Sequence, residues 1–242
     1  MAKKIRTIPL TEIHCACVIH GNAYSWSYVE KLYNSLQRNL TPKVILHVYT
    51  ESNRSVPDYM VKHGLIDWPG ISGPKKAWWY KVQLFNIENF SDQLLYFDLD
   101  IVITKNIDWM WQLDIDYFWA AKDFRYLFDH RRVTINSSVM WFNVKRFGYI
   151  YDQFTLETSK NYHGDQDYIH ATVPQTQRNF MDSTKISSWR WEVFDGGFNF
   201  KTRKHIAPGT GATIAPTTDV IVFHGKPKPH EVTDIKILKH WT

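Results

Sequence analysis

Residues 94–103 read Leu-Leu-Tyr-Phe-Asp-Leu-Asp-Ile-Val-Ile, an apolar run of strand length that carries two carboxylates. A run of this kind is typical of a strand buried on both faces of a parallel sheet. Side chains two apart on an extended strand point to the same face, so we expect Asp98 and Asp100 to lie together with Leu99 packed behind them. The stretch therefore predicts a buried strand that presents a pair of acids.

Such a pair of carboxylates is costly without a partner. Two carboxylates about 5 Å apart repel each other by roughly 3 kcal/mol at an effective dielectric constant near 20. Burial increases that cost, and a divalent cation removes it. Oxygen ligands at this spacing favour Mg²⁺ or Mn²⁺ over zinc. An exposed pair at a strand end, held by backbone N–H groups, is the alternative, and an isolated Asp-x-Asp motif does not decide between the two.

The chain before this stretch predicts a β-α-β unit. Residues 13–19 form an apolar run that ends in a turn, and residues 44–49 form a second run. Between them, residues 26–39 place apolar side chains at helical spacing. Strand, helix and strand in this order predict an α/β fold with a mostly parallel central sheet flanked by helices. Ligands of such sheets bind beyond the carboxyl ends of the strands, where residues 20–24 lie.

Later segments predict further short elements. Residues 77–90 have helical spacing and lead into the acidic stretch, and residues 136–143 predict a strand that begins with small polar side chains. Asp165 is a candidate N-cap of a short helix. Residues 220–223 predict a final strand. Residues 173–217 predict long loops, because Pro, Gly, Ser and Thr are frequent there.

Composition limits the classes of partner. The chain has 242 residues, with 29 Lys and Arg against 24 Asp and Glu, and a formal net charge of +5. A length of this kind predicts one large domain with a substantial core. The charge favours an anionic small substrate or loose peripheral attraction to a membrane surface, and no dense Lys/Arg run indicates nucleic acid. No apolar run has the roughly 18 residues that a transmembrane segment needs.

The two cysteines predict a reducing environment. Cys15 and Cys17 lie two apart in a predicted strand and point the same way. Thiols in this arrangement fit a reduced pair in the core better than a disulfide. The N-terminus has no apolar segment behind its charges and hence no recognisable signal peptide. These features predict a cytoplasmic protein.

A second polar group follows the last predicted strand. His224 comes directly after that strand, as Asp98 follows its own, and the carboxyl ends of parallel strands meet at one edge of a sheet. A neutral imidazole would complete a cation site begun by Asp98 and Asp100. Gly225 would let the backbone approach a ligand, and Lys226 would hold a phosphate as a point charge. For His224 alone an ordinary basic turn explains the sequence better, whereas its combination with the aspartates favours a site.

Four motifs in this order resemble the GT-A-fold glycosyltransferases of family 8, the glycogenin and bacterial lipo-oligosaccharide galactosyltransferase type. They are the Asp-x-Asp stretch, Asn136-Ser137-Ser138, Gly164-Asp165-Gln166 and His224-Gly225-Lys226-Pro227. The resemblance spans residues 14 to about 230, apart from residues 173–217. It implies a GT-A fold, a Rossmann-like mostly parallel central sheet flanked by helices. It also implies one catalytic domain over residues 1–242, with a nucleotide-binding half (1–104) and a half that completes the acceptor and metal sites (105–242).

The resemblance further implies a reaction and its residues. A sugar would move from a nucleotide diphosphate donor, with a UDP-sugar favoured, to a glycan or other acceptor, and Mn²⁺ or Mg²⁺ would be the cofactor. The resemblance to family 8 implies retention of the anomeric configuration, whereas other GT-A branches with Asp-x-Asp invert. Asp165 and Gln166 would lie beneath the anomeric carbon as catalytic residues, and Asp98, Asp100 and His224 would bind the metal. The implied donor-binding residues are His20, Asn22, Tyr24, Lys81, Asp98, Asn136, Ser137, Gly225 and Lys226.

Two other functions stay open at this point. The acidic stretch also fits the nucleophile strand of haloacid dehalogenase-type phosphatases, in which Asp98 would attack phosphorus and Asp100 would act as acid and base. In those enzymes this strand is normally the first, whereas here a β-α-β unit precedes it. A non-catalytic sugar-binding module is the other alternative, and it gives no reason for paired carboxylates on a buried strand. For Asp165, helix capping is as good an explanation as catalysis.

Overall fold

The structure is a computed structural model that describes residues 10–71, 76–199, 201–202, 204–205 and 211–242. The strands are β1 Glu12–Val18, β2 Lys43–Thr50, β3 Val61–Gly64, β4 Gln93–Phe97, β5 Ile101–Ile103, β6 Phe118–Lys122, β7 Ile135–Asn143, β8 Arg178–Phe180, β9 Ile186–Ser188, β10 Phe198–Asn199, β11 Lys204–His205 and β12 Val220–Val222. The α-helices are α1 Ser27–Asn39, α2 Lys76–Trp79, α3 Val144–Phe147, α4 Tyr149–Asp152, α5 Thr158–Asn161, α6 Asp165–Thr172 and α7 Ile235–Leu238. Single 3₁₀ turns or short 3₁₀ helices cover Tyr80–Phe85, Asp108–Met110, Phe124–Leu127, Gln175–Gln177 and Pro229–Glu231, and a π-helical turn covers Trp189–Val193.

Seven strands form the central sheet, in the order β3-β2-β1-β4-β7-β6-β8. β1 pairs in parallel with β2 and β4, β2 with β3, and β6 with β8, whereas β7 is antiparallel to β4 and β6. Within the described residues, β7 is thus the one reversed strand of this sheet. The predicted mostly parallel α/β sheet is confirmed. Because β7 is reversed, its first residues lie beside the carboxyl end of β4, at the edge where α/β sheets bind ligands.

Apolar side chains cover both faces of the central sheet. On one face, Val29, Leu32 and Leu36 of α1 are buried at helical spacing, as predicted, together with Cys15 and Cys17 of β1. Each fully buried Val or Leu side chain contributes about 1.5–3 kcal/mol to folding. Both cysteines are free thiols. α1, the longest helix of the described ranges, has 13 residues, and no helix there is long and apolar enough to span a bilayer.

The acidic stretch differs from the prediction of one continuous strand. β4 ends at Phe97 in the central sheet, whereas β5 begins at Ile101 and pairs with β12 in a separate sheet of order β5-β12-β9. The backbone N–H of Asp98 still donates to Ser138 O of β7 at 2.8 Å, but the carbonyl of Asp100 accepts from Phe223 N at 3.1 Å. Residues 98–100 therefore form the turn between two sheets. Long-range pairing with β12 therefore breaks a stretch whose sequence predicts one continuous strand.

The segment predicted as long loops contains ordered elements. β8 joins the edge of the central sheet, and β9 pairs in parallel with β12 in the small sheet. Trp189 and Val193 of the π-helical turn are buried in a third apolar cluster with Ile221 and Phe223. These strands have three residues each, so their pairing depends on distant partners and not on a local pattern.

Candidate active site

A buried ammonium group, that of Lys81, lies between two carboxylates at the carboxyl end of β4. Its Nζ is 2.8 Å from Oδ1 of Asp98 and 3.5 Å from Oδ2 of Asp165. It also donates to Oγ of Ser137 at 3.1 Å. Lys81 belongs to the 3₁₀ helix that follows α2, and all six residues of that helix are buried. The helix therefore directs the side chain to the strand ends instead of to solvent.

Each charged group in this cluster shifts the pKa of its neighbours. Burial alone would raise the pKa of Asp98, but the Lys81 ammonium and the Tyr96 hydroxyl, 2.7 Å from Oδ1, lower it below its ordinary value. Burial alone would lower the pKa of Lys81, and the carboxylates of Asp165 and Asp98 raise it instead. For Asp165 burial prevails and raises the pKa, with Lys81 and Ser137 opposing it. Lys81 and Asp98 are thus an ion pair at neutral pH.

Asp100, on the far side of the turn, has partners of its own. Its Oδ2 accepts a hydrogen bond from the Tyr24 hydroxyl at 2.9 Å and also contacts the Lys228 ammonium. Only 10% of its side chain is exposed. Burial and the neighbouring Asp98 raise the pKa of Asp100, while Lys228 and Tyr24 oppose the change. Lys228 is therefore the counter-ion of Asp100, as Lys81 is that of Asp98.

The lysine that reaches this site is not the one that the sequence predicts. Lys226, predicted to bind phosphate, has a side chain that is 79% exposed, and its Nζ lies 2.6 Å from Oε1 of Glu231. Lys228 points inward, with 22% of its side chain exposed. Its backbone N–H donates to Oε2 of the same Glu231 at 2.6 Å, which holds the turn in this orientation. The sequence has two consecutive Lys-Pro pairs, and either lysine could have been the one that reaches the site. Only the direction of the side chains in the folded turn shows that it is Lys228.

His224 is held apart from the two aspartates. Its Nε2 lies 2.6 Å from Oγ of Ser188, and its ring packs against Phe124 and Trp191 with centroid distances of 5.3 and 4.5 Å. Burial lowers its pKa to about 4, so the imidazole is neutral. Among the described residues, no three His, Cys, Asp or Glu side chains are grouped closely enough to hold a metal ion. The predicted trio of metal ligands is thus not assembled in this conformation, because Ser188 and the aromatic rings hold the imidazole.

Asp98 and Asp100 by themselves still suit a hard divalent cation. They supply carboxylate oxygens, the ligand type that Mg²⁺ and Mn²⁺ prefer, on a turn of three residues. Three carboxylates, including that of Asp165, contact two ammonium groups, so the cluster keeps one net negative charge when all five groups are ionised. The donor set therefore fits the implied metal at two of its three predicted ligands. The Lys228 ammonium contacts one of these two carboxylates, that of Asp100.

The starts of β7 and α6 meet beside Lys81. Oγ of Ser137 donates to Oδ2 of Asp165 at 2.7 Å. Oε1 of Gln166 lies 3.4 Å from both Nδ2 of Asn136 and the backbone N of Ser137. The N-cap position of α6 is Gly164 and has no side-chain cap, so Asp165 does not cap the helix. Its carboxylate is turned into the site instead.

Glu51 and Arg54 hold the turn after β1, and the sequence did not single them out. The backbone N–H of Gly21, at φ +63°, donates to Oε1 of Glu51. Arg54 donates to Oε2 of Glu51 at 2.9 Å and to the carbonyl of Gly21 at 2.7 Å. Burial would raise the pKa of Glu51, but these hydrogen bonds, that of Arg54 first, lower it to about 2. Glu51 is therefore ionised at neutral pH, and its carboxylate holds this turn.

The turn that Glu51 holds carries three predicted donor-binding residues. The ring of His20 packs on that of Tyr80 at a centroid distance of 4.3 Å, next to Lys81. Asn22 is exposed, and Tyr24 is half-buried with its hydroxyl on Asp100. Of the predicted site residues, one network of contacts joins Lys81, Asp98, Asn136, Ser137, Asp165 and Gln166. Tyr24 and Asp100 form a second group across the turn. Asn22 and Gly225 are exposed, and His224 and Lys226 contact other partners.

Comparison with known proteins agrees on the fold. No protein-family model and no curated protein sequence matches this chain. An active-site variant of LgtC is similar in structure, with a TM-score of 0.65 and 12% identity over 94% of each chain. The galactosyltransferase LgtC with donor and acceptor sugar analogues gives a TM-score of 0.60 and 13% identity, over 90% of this chain and 89% of that one. The glycosyltransferase GlyE of Streptococcus pneumoniae gives 0.61 and 16%, over 93% of this chain and 57% of GlyE.

The two likenesses to LgtC extend over nearly its whole length. At such identities they establish the fold, and the chain resembles GT-A glycosyltransferases of the family 8 type in its architecture. The resemblance that four short motifs indicated is thereby confirmed at the level of fold.

Proposed function

We propose that this chain is a glycosyltransferase that moves a sugar from a nucleotide diphosphate donor to a glycan or other acceptor. The observation that carries the proposal is the buried cluster of Lys81, Asp98 and Asp165 at the carboxyl edge of a GT-A sheet. A fold alone does not decide a function. Buried ionisable groups with altered pKa values at the ligand-binding edge are what indicate a reactive site.

The donor would lie across the ends of β1, β4 and β7. Tyr24 offers an aromatic face for the base, and its neighbour His20 lies on the same turn. Lys228 contacts Asp100 inside the site whereas Lys226 pairs with Glu231 outside it, so we assign the diphosphate to Lys228 in place of Lys226. Asn136 and Ser137 would contact the sugar. A UDP-sugar is the donor we favour.

We propose Mn²⁺ or Mg²⁺ as the cofactor, held by Asp98 and Asp100. When bound it would supply positive charge at the leaving diphosphate. His224 would become a third ligand only after leaving Ser188. Lys228 adds a second positive charge there, and the buried Lys81 fixes Asp98 in its ionised form.

The sugar side of the reaction involves the opposite charge. As the bond to the diphosphate breaks, positive charge develops on the sugar ring, and a buried carboxylate aimed at that ring stabilises it. We assign this role to the carboxylate of Asp165, which accepts from Ser137, and to the amide oxygen of Gln166, which lies beside Asn136. Retention of configuration belongs to this proposal, by the resemblance to family 8. The phosphatase alternative is less well supported, because Lys81 and Tyr96 both contact the carboxylate oxygen Oδ1 of its nucleophile, Asp98.

Two broader properties are also proposed. Residues 1–104 and 105–242 would act as halves of one catalytic domain, since the central sheet takes β1–β4 from the first and β6–β8 from the second. The buried free thiols of Cys15 and Cys17 suit a reducing compartment such as the cytoplasm.

Thermal unfolding with UDP, GDP, CDP and ADP, each with and without Mn²⁺, tests the proposal. A ligand at about 100 times its dissociation constant adds about 2.7 kcal/mol to native-state stability. We expect one diphosphate to stabilise the protein, mainly when Mn²⁺ is present. Asp100→Asn should abolish the effect of Mn²⁺, whereas Asp116→Asn, at a side chain that is 73% exposed, should not. No stabilisation by any diphosphate, with release of phosphate from p-nitrophenyl phosphate, would support the phosphatase instead.

A further inference from the structure

Lys228 connects two parts of the site that are far apart in sequence. Its backbone lies in the turn after β12, where its N–H is fixed by Glu231 and the following Pro229 is buried. Its ammonium group contacts Oδ2 of Asp100 and lies 5.3 Å from the centroid of the Tyr24 ring. The lysine therefore reaches both a proposed metal ligand and the proposed base-binding ring from a hydrogen-bonded turn.

This contact places a cation at the carboxylate that a metal would need. Lys81 already neutralises Asp98, so the Lys228 ammonium is the group that balances Asp100. Tyr24 donates to the same Oδ2 atom, and the oxygen thus has two donors. A divalent ion that approaches without a donor substrate must displace the ammonium from this oxygen. A tethered group competes at an effective concentration that is commonly in the millimolar range.

We propose that Lys228 is a transferable counter-ion, which holds Asp100 in the free protein and moves to the diphosphate when the donor binds. Asp100 is then released to the divalent cation. The inference rests on the proposed function and concerns how its ligands bind. Metal and nucleoside diphosphate bind cooperatively, because the metal binds Asp100 and the diphosphate binds Lys228, and each thereby separates the pair. Such coupling is reciprocal, so each ligand increases the affinity for the other by the same factor.

Titration with Mn²⁺ alone, followed through the electron paramagnetic resonance signal of free Mn²⁺, tests the first half. Lys228→Met removes the competing cation, and we expect it to bind Mn²⁺ about tenfold more tightly than the wild type does. Lys226→Met is the matched control, since that ammonium pairs with Glu231 away from the aspartates, and it should behave as the wild type. Lys228→Arg keeps the charge and should keep Mn²⁺ binding weak.

The second half is tested by calorimetry with UDP in the absence of metal, or with whichever diphosphate stabilises the wild type. Asp100→Asn frees Lys228 for the diphosphate, so we expect metal-free affinity to rise by about fivefold although the Mn²⁺ effect is lost. Lys228→Met should bind the diphosphate more weakly. These opposite effects differ from those of a merely structural ion pair, whose loss would weaken both ligands in both variants.

Two results would overturn the inference. One is a folded Lys228→Met variant whose affinity for Mn²⁺ alone is unchanged or lower. The other is an Asp100→Asn variant that binds the diphosphate no better than the wild type, and this result applies even if Lys228→Met does not fold. If the wild type binds none of the four diphosphates, the proposed function fails. If the wild type binds a diphosphate and Mn²⁺ cooperatively but the variants have the same affinities as the wild type, only the role of Lys228 is removed.

Discussion

The ammonium nitrogen of Lys81 lies 2.8 Å from Oδ1 of Asp98, and both groups are largely shielded from water. The same nitrogen contacts Ser137 of β7 and Asp165 of α6. One lysine therefore joins three elements at the carboxyl edge of the sheet. Because a buried charge is costly without its partner, this group contributes to the architecture of the site as well as to its chemistry.

Replacing Lys81 by Met should destabilise the fold strongly. Removal of one partner leaves Asp98 and Asp165 buried without their shared cation, and such losses cost about 3–5 kcal/mol. Urea unfolding at neutral pH measures the effect. Lys160→Met is the control, because that side chain is 56% exposed and its pair with Glu157 should contribute less than about 1 kcal/mol. Equal losses in the two variants would contradict the structural role of Lys81.

Local sequence patterns were sufficient to predict the frame of the site. Apolar runs predicted β1 and β2, and helical spacing predicted α1, because each element buries apolar side chains that the residues themselves specify. The apolar run around Asp98 and Asp100 likewise predicted that both carboxylates lie on a buried segment. Asn136 and Asp165 also reached the site as expected, and their proposed roles stay predictions.

Features that depend on distant partners could not be predicted. The break after Phe97 follows from pairing of β5 with β12, and no local signal separates Leu99 from the apolar residues around it. In the turn after β12, two Lys-Pro pairs are equivalent in sequence, but the Lys226 side chain lies outside on Glu231 whereas Lys228 points inward to Asp100. Contacts of this kind exist only in the folded chain.

A row of three histidines crosses β1, β2 and β3 and should make stability depend on pH. Nε2 of His47 lies 2.8 Å from Nδ1 of His14, and its Nδ1 lies 2.8 Å from Nε2 of His63. Burial, assisted by the two neighbours, lowers the pKa of His47 from 6.5 to about 3. The unfolded chain therefore takes up a proton first, so stability is complete above pH 6.5 and falls as the pH decreases towards 3.

Replacing His47 by Gln should reduce this acid sensitivity. Between about pH 8 and about pH 4.5, the wild type should lose about 2 to 3 kcal/mol more of its unfolding free energy than the variant does. Urea titrations at the two pH values give the difference. His130→Gln, at an exposed imidazole, should follow the wild type. A variant as acid-sensitive as the wild type would show that His47 does not control this response.

Gly225 should resist substitution because of its backbone and not because of its neighbours. Its φ is +82°, and an added Cβ would meet only Nη1 of Arg190, at 3.7 Å. Alanine in this region of backbone space costs about 1–2 kcal/mol. Gly64→Ala is the control, since an added Cβ there has no atom within 4 Å and φ is not in the left-handed region. Thermal melts should show a clear loss for Gly225→Ala only; similar melting temperatures would argue against strain at this turn.

Asp165 and Asp167 provide a matched pair on one turn of α6. Asp165 is buried and accepts from Ser137 at 2.7 Å, whereas Asp167 is partly exposed. Asp165→Asn keeps the size of the side chain and its acceptor oxygen but removes the charge. Because burial raises the pKa of this carboxyl group, the neutral amide should fold with little loss of stability.

The charge of Asp165 should matter for turnover instead. If it stabilises the positive charge on the sugar ring, Asp165→Asn should lower kcat by about 100-fold or more while the dissociation constant of the diphosphate stays within about threefold. Hydrolysis of the nucleotide-sugar whose diphosphate binds in the thermal screen gives kcat without knowledge of the acceptor. Asp167→Asn should retain nearly full turnover. A kcat for Asp165→Asn equal to that of Asp167→Asn would assign the buried carboxylate to structure alone, because the two variants differ only in whether the lost charge faces the site.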